Sequence, residues 1–164
     1  MTTPRVIHSS LLAGLVTISS LLSGCIVADL DNGLPLNDSS GDIVVRNISG
    51  NVDIDDRSGD ISINAVKGSL WVDDLSDNID INFTKGNVVI DDNSGGLLMQ
   101  ENYGDIHVED NSGDINIVDT QGIISIDDGS GDISIERAYG LTIIDDGSGR
   151  THIKDVINVY NHTH

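Results

Sequence analysis

A glycine recurs every nine residues over most of this chain. Steps of nine from Gly41 to Gly149 give thirteen positions, of which twelve are glycine and one is Asp77. The residue four places after each of these positions is apolar in all thirteen cases. The segments 54–63 (IDDRSGDISI) and 126–135 (IDDGSGDISI) differ at a single position. A short and fixed period of this kind indicates stacked repeats.

Each nine-residue unit has the pattern of a short strand followed by a turn. Apolar residues stand two and four places after the glycine, as Ile133 and Ile135 do after Gly131. This alternation is typical of a strand with one buried face, and the β-branched residues that supply it favour strands. If the nine-residue period continues without interruption, the residues two and four places after Gly140, which are Thr142 and Ile144, also face inward.

The two kinds of unit alternate, so the structural repeat is 18 residues long. One turn is acidic, as at 91–96 (DDNSGG), and the other is mixed, as at 82–87 (NFTKGN). Two strands and two turns per repeat predict an all-β fold, a flattened two-sheet parallel β-solenoid of six to seven coils about 4.8 Å apart. We expect right-handed winding, and glycines where a turn needs positive φ or where coils touch. An antiparallel meander is the alternative, but hairpins do not require like residues at a spacing of 18.

The first 24 residues have the composition of an export signal. Arg5 precedes an apolar run at 11–22, which is shorter than the ~20 residues of a membrane-spanning helix. The end of this region, 22–25 (LSGC), resembles the lipobox of bacterial lipoproteins. The resemblance implies cleavage after Gly24 and acylation of Cys25, the only cysteine of the chain. An ordinary secretory signal with a chance or buried cysteine is the alternative.

These features divide the chain into four parts: a signal peptide at 1–24, a lipidated N-terminus and tether at 25–37, the β-solenoid at 38–157, and a tail or cap at 158–164. The acyl chains predict stable attachment to a membrane of the cell envelope. Because Ile26 rather than an aspartate follows the cysteine, the outer membrane is favoured if the source is Gram-negative.

Acidic residues dominate the charge of the chain. The formal net charge is −19, so we do not expect a nucleic-acid partner. If equivalent residues of successive coils stack on one another, the paired acidic residues of the acidic turns form two ladders of carboxylates along the stack. Neighbouring carboxylates within a ladder would repel by about 0.9 kcal/mol each in water. Calcium, the one candidate cofactor, could offset this repulsion; otherwise the aspartates cap backbone N–H groups and splay into solvent. The candidate calcium ligands are Asp55, Asp56, Asp73, Asp74, Asp91, Asp92, Asp110, Asp127, Asp128, Asp145 and Asp146, with Glu109 completing the first ladder.

Four apolar residues stand at positions that the alternation assigns to the outer faces of the sheets: Trp71, Val89, Leu98 and Ile143. An exposed apolar cluster would provide a contact surface for a partner. Catalysis is not expected, because the acidic residues recur in every coil whereas an enzyme site would interrupt the repeat at one place.

Runs such as 104–117 (GDIHVEDNSGDINI) and 126–135 resemble bacterial adhesin-type β-strand-repeat domains, also called toast-rack domains. The resemblance spans roughly 40–155 and implies a β-solenoid in the cell envelope, with no catalytic residues to carry over. The expected function is a lipid-anchored surface interaction or adhesin-like module that contacts an envelope protein or a glycan. A calcium-stabilised structural spacer is the alternative, and a polysaccharide-acting enzyme is a remote one.

Overall fold

The computed structural model describes residues 5–8, 18–20, 26–29 and 34–161, and every regular element among them is a strand. The strands are β1 (Arg5–His8), β2 (Ile18–Ser20), β3 (Ile26–Asp29), β4 (Leu34–Asp38), β5 (Ile43–Ile48), β6 (Val52–Asp56), β7 (Ile61–Val66), β8 (Leu70–Asp74), β9 (Ile79–Thr84), β10 (Val88–Asp92), β11 (Leu97–Asn102), β12 (Ile106–Asp110), β13 (Ile115–Asp128), β14 (Ile133–Asp145) and β15 (Thr151–Asn161).

The strands stack in parallel as two columns, and consecutive strands alternate between them. The odd column runs from β1 to β11 and the even column from β2 to β12, while β13 continues both. Partner residues are 18 apart over most of the stack, as Ile61 is from Ile79. The predicted parallel β-solenoid is therefore confirmed, with about seven coils. Its right-handed winding stays a prediction.

The core lies between the two columns and is built almost entirely from aliphatic side chains. Each strand from β5 to β12 contributes the two inward residues that the alternation predicts, such as Ile79 and Ile81 in β9, both 1% exposed. Each such side chain adds about 1.5–3 kcal/mol when buried. A coil alone cannot enclose these residues, so the stack acquires its stability from contacts between neighbouring coils.

Both corners of the coil need glycine where coils touch, and the acidic corner needs it for its backbone conformation as well. In the acidic turns, glycines such as Gly59 and Gly131 have positive φ, and Asp77 at the equivalent position also has positive φ, at 82°. A Cβ on Gly59 would also overlap the carbonyl oxygen of Gly41, as a Cβ on Gly104 in the mixed turns would overlap that of Gly86. Both predicted uses of glycine are confirmed. The mixed corner also holds a non-glycine residue with positive φ in every coil: Asn47, Ala65, Phe83, Glu101, Asp119, Arg137 and Asp155.

The stack changes register between β13 and β14. Thr120 pairs with Ala138 at a spacing of 18, but Ile126 pairs with Ile143 at a spacing of 17. A one-residue slip exchanges the two faces of a strand, so Leu141 and Ile143 lie inside, at 0% and 1% exposure. The prediction that Ile143 is an exposed contact residue, with Thr142 and Ile144 inside, is therefore wrong. Ile144 is 38% exposed.

Strand pairing extends beyond the predicted limits of the repeat domain. β3 and β4 pair with β5 and β6, so residues of the expected tether are part of the stack, and β15 continues through Asn161. β1 and β2 belong to the predicted signal peptide; cleavage after Gly24 would remove them and leave β3 at the start. Cys25 lies outside the described residues. In the part of the chain that the structure describes, no helix has the length and hydrophobicity to cross a bilayer.

Candidate functional site

The two acidic ladders occupy different environments. In β6 the alternation continues to the end of the strand, so Ile54 faces inward, Asp55 outward and Asp56 inward again. The first ladder is consequently exposed, whereas the second is buried inside the corner. The prediction that both ladders lie at a solvent-facing edge is wrong for the second, because strand pairing continues two residues past the last isoleucine. The buried carboxyls, all at most 4% exposed, belong to Asp38, Asp56, Asp74, Asp92, Asp110 and Asp128.

One oxygen of each buried carboxyl caps the turn that follows it. Oδ1 of Asp110 accepts the backbone N–H of Ser112 at 2.9 Å, and Oδ1 of Asp92 accepts that of Ser94 at 3.0 Å. The same bond recurs in the other coils with a buried aspartate. The hypothesis that these aspartates cap turns is thus confirmed for the second ladder, although their side chains do not splay into solvent. The hydroxyl of the capped serine donates to a backbone carbonyl of the preceding coil, as that of Ser76 does to Arg57 at 3.1 Å.

The other oxygen, Oδ2, of each of the six buried aspartates has no hydrogen-bond partner within the described part of the chain. Burial, together with the neighbouring carboxyls of Asp92 and Asp56, raises the pKa of Asp74 to about 7 despite the lowering effect of the Ser76 N–H. Burial likewise raises the pKa values of Asp56, Asp92, Asp110 and Asp128 to about 6. These carboxyls therefore take up protons near neutral pH.

Protonation suits the stacking of these side chains. The buried aspartates are direct partners in register from coil to coil, as Asp92 is with Asp74 and Asp110. Two facing carboxylates repel, whereas a protonated carboxyl supplies an O–H donor that the oxygen of a neighbour can accept. The column can therefore relieve both its repulsion and its unpaired oxygens by holding protons.

The ladder ends differently in the last coil. Oδ1 of Asp145, rather than of Asp146, accepts the N–H two residues on, from Gly147 at 2.9 Å. Oδ2 of Asp146 instead accepts the hydroxyl of Thr151 at 3.2 Å. The change coincides with the register slip in β14, and both carboxyls there are outside the buried core.

The structure does not bring the candidate calcium ligands together into one metal site. The exposed and buried carboxyls of one coil alternate in direction along the strand, although members of both ladders, among them Asp110 and Asp127, line one groove at the acidic corner. Among the described residues, no group of three or more His, Cys, Asp or Glu side chains could hold a metal. The exposed ladder still carries uncompensated repulsion: burial and the charges of Asp91 and Asp55 raise the pKa of Asp73. Calcium binding to that ladder alone stays a hypothesis.

The predicted contact residues do not form one surface: they lie on two opposite outer faces and in the core. Trp71 in β8 is 57% exposed and pairs in register with the half-buried Val89 in β10. Leu98 is in the odd column, where its neighbours in register are Asp80 and Asn116. Trp71 and Val89 therefore form one outward patch, Leu98 belongs to the opposite face, and Ile143 is in the core.

Sequence reasoning missed a column of buried polar groups at the mixed corner. Thr84, Asn102 and Thr120 are at most 4% exposed and stack in register. The Nδ2 of Asn102 donates to the carbonyl of Gly104 at 2.8 Å, but its Oδ1 and the two threonine hydroxyls have no partner among the described residues. They follow the inward Val66 at successive steps of 18 residues, and this spacing was the signal that could have located them.

The mixed corner largely compensates its own charges. Nε of Arg137 pairs with Oδ1 of Asp119 at 2.6 Å, and its Nη1 pairs with Glu136 at 2.9 Å. Lys85 lies over the ring of Phe83, 5.6 Å from its centre. Among the residues that the structure describes, the acidic corner and the patch around Trp71 have no such cationic partners, which makes them the candidate site. No family model, curated protein or solved structure matches the chain.

Proposed function

We propose that this chain is a lipid-anchored cell-envelope protein whose β-solenoid serves as a surface interaction or adhesin-like module. The observation that carries the proposal is Trp71, the single tryptophan of the chain, which is 57% exposed on a regular sheet face. Indole side chains are among the strongest anchors in protein interfaces. The adjacent Val89 enlarges the apolar patch, and the stacked coils hold both residues rigidly.

The lipobox-like sequence before Cys25 supports attachment to a membrane through acyl chains. A solenoid anchored at its N-terminal end would project its coils away from the bilayer. An anionic membrane surface repels the strongly acidic coils, so the partner is an envelope protein or a glycan rather than the lipid itself. We propose no enzymatic activity, because the acidic residues recur along the whole stack instead of meeting at one place.

Replacing Trp71 with alanine is expected to abolish recovery of the partner. In affinity purification from envelopes of the source cells, the wild-type chain should retain one protein or glycan. The Trp71→Ala chain should bind it at least about 30-fold more weakly, which corresponds to the loss of an interface anchor.

The matched control for that experiment is Leu98→Ala, which removes an apolar side chain from the opposite face. Leu98→Ala should keep the partner, and Cys25→Ser should release the chain from the membrane fraction. Recovery that is independent of Trp71, or lost equally in both alanine variants, would contradict the proposal.

The second candidate function is a calcium-stabilised spacer, which the repulsion among Asp55, Asp73 and Asp91 favours. Because no three-ligand site exists among the described residues, we expect 2 mM CaCl₂ to change the melting temperature no more than NaCl of equal ionic strength. A ligand at 100 times its Kd adds about 2.7 kcal/mol, so calcium-specific stabilisation of several degrees in a thermal melt would instead establish the spacer.

A further inference from the structure

The patch around Trp71 is bordered by carboxylates in a regular array. β6, β8 and β10 present two outward rows: Asp53, Trp71 and Val89 form one, and Asp55, Asp73 and Asp91 form the next. Rows are about 6.8 Å apart along the strand, and neighbours within a row are about 4.8 Å apart. We call these six residues the Trp71 face.

The carboxylates of the Trp71 face have no cationic partner. None of its four aspartates forms a salt bridge with a Lys, Arg or His side chain of the described residues. Asp55 accepts one hydrogen bond, from the Nδ2 of Asn37 at 2.8 Å. The face thus combines an exposed indole with four negative charges and no positive one.

The negative charge of the Trp71 face determines which kind of partner can bind there. An anionic glycan or another acidic surface is repelled, and a neutral glycan would leave the repulsion between the carboxylates unrelieved. A cation gains in two ways, since it approaches the face of the indole and neutralises the neighbouring carboxylates. Arginine suits both contacts better than lysine, because the planar guanidinium stacks on an aromatic ring and bonds carboxylates through two N–H groups.

We propose that the Trp71 face binds an arginine-rich segment of a partner protein. The proposal rests on the interaction function given above and adds the chemistry of the partner. An extended segment places alternate side chains on one face, about 6.8 Å apart, so two arginines separated by one residue can engage the indole and the neighbouring aspartates together.

Titration of the full chain carrying Cys25→Ser with a capped hexa-arginine peptide tests this proposal. Because Trp71 is the only tryptophan, its fluorescence reports binding at this face directly, and calorimetry supplies the affinity. We expect saturable binding that weakens as salt screens the charges. Trp71→Leu should weaken it about threefold by calorimetry, and hexa-lysine should bind more weakly than hexa-arginine.

Charge-matched variants separate a built face from general attraction to an acidic protein. Asp73→Asn with Asp91→Asn should weaken peptide binding about fivefold. Asp80→Asn with Glu101→Gln removes the same charge from exposed positions elsewhere and should weaken it less than about twofold. Equal losses in the two pairs, or insensitivity to Trp71→Leu, would overturn the proposal.

The affinity purification distinguishes failure of this inference from failure of the interaction function. If no Trp71-dependent partner is recovered, the interaction function itself fails. If a Trp71-dependent partner is recovered but hexa-arginine does not displace it, only the arginine-rich chemistry fails.

Discussion

The melting temperature of the full Cys25→Ser chain is expected to fall by roughly 10 °C between pH 5 and pH 8. The cause is the buried ladder, in which the pKa of Asp74 is about 7 and the pKa values of Asp56, Asp92, Asp110 and Asp128 are about 6, against 3.8 for an unperturbed aspartate. Thermal melts followed by circular dichroism across this range measure the effect.

The sign follows from proton linkage. Between pH 4 and about 7 the folded chain binds more protons than the unfolded chain, so the free energy of unfolding decreases as the pH rises. One carboxyl with a folded pKa of about 6 changes that free energy by about 1.4 kcal/mol between pH 5 and 8. Because protonating one carboxyl relieves its neighbours, we expect about 4 kcal/mol for the ladder rather than the full sum.

Two adjacent aspartates provide the matched control. Asp92→Asn keeps the oxygen that caps Ser94 and replaces the unpaired oxygen with an amide donor, so it should raise the melting temperature at pH 8 and flatten the pH dependence. Asp91→Asn removes the same charge from the exposed ladder and should leave most of the pH dependence intact, because Asp91 raises the pKa of Asp92 less than burial does. A melting temperature that is constant or rises from pH 5 to 8 would show that the buried carboxyls are not the proton-binding groups.

The second large effect is expected from Gly104→Ala, which should lower the free energy of unfolding by about 3 kcal/mol. Gly104 does not have positive φ, so alanine meets no local backbone strain. The added Cβ would overlap the carbonyl oxygen of Gly86 and lie 2.9 Å from the backbone nitrogen of Asn87. Both atoms belong to the preceding coil, whose distance is set by a continuous ladder of backbone hydrogen bonds.

Gly140→Ala is the control, because it affects the corresponding glycine of the mixed corner two coils later. There the shortened turn leaves the Cγ1 of Ile123 as the nearest atom, at 3.4 Å. Alanine should be neutral or stabilising by about 0.4–1 kcal/mol, since it restricts the unfolded chain. Urea denaturation of the two variants measures the difference, and similar midpoints would show that coil-to-coil contact does not dictate glycine at this corner.

The fold was predictable because one period governs the whole chain. An 18-residue repeat with apolar residues at alternate positions admits few structures other than stacked coils, and the inward residues from Val52 to Ile117 could be assigned from it. The nine-residue periodicity assigned Ile143 to the wrong face, because the mixed turn before it is one residue shorter than the mixed turn of the preceding coil. The apolar pair Leu141 and Ile143 was the signal for this slip, since it offers a better inward face than Thr142 and Ile144.

The candidate site was less predictable than the fold. The segment 54–56 (IDD) reads as inward, outward, inward by alternation, but burying Asp56 is unfavourable unless its carboxyl has a partner. That partner is the backbone of the following turn, whose conformation does not follow from the residue types alone. The proximity of Trp71 and Val89, and their separation from Leu98, likewise depends on which column each strand joins.

The repeat in the sequence alone determined the coil length, the parallel stacking and the identity of most core residues. The reason is that the repeat length fixes which residues stack on one another, and the alternation of side chains fixes which of them face inward. Only the tertiary structure decided that the second acidic residue of each pair from 55–56 to 127–128 is buried with a raised pKa. It also decided that the carboxylates around Trp71 have no salt-bridge partner among the described residues. Both outcomes depend on distances between residues of different coils, and these distances are set only when the coils stack in the folded protein.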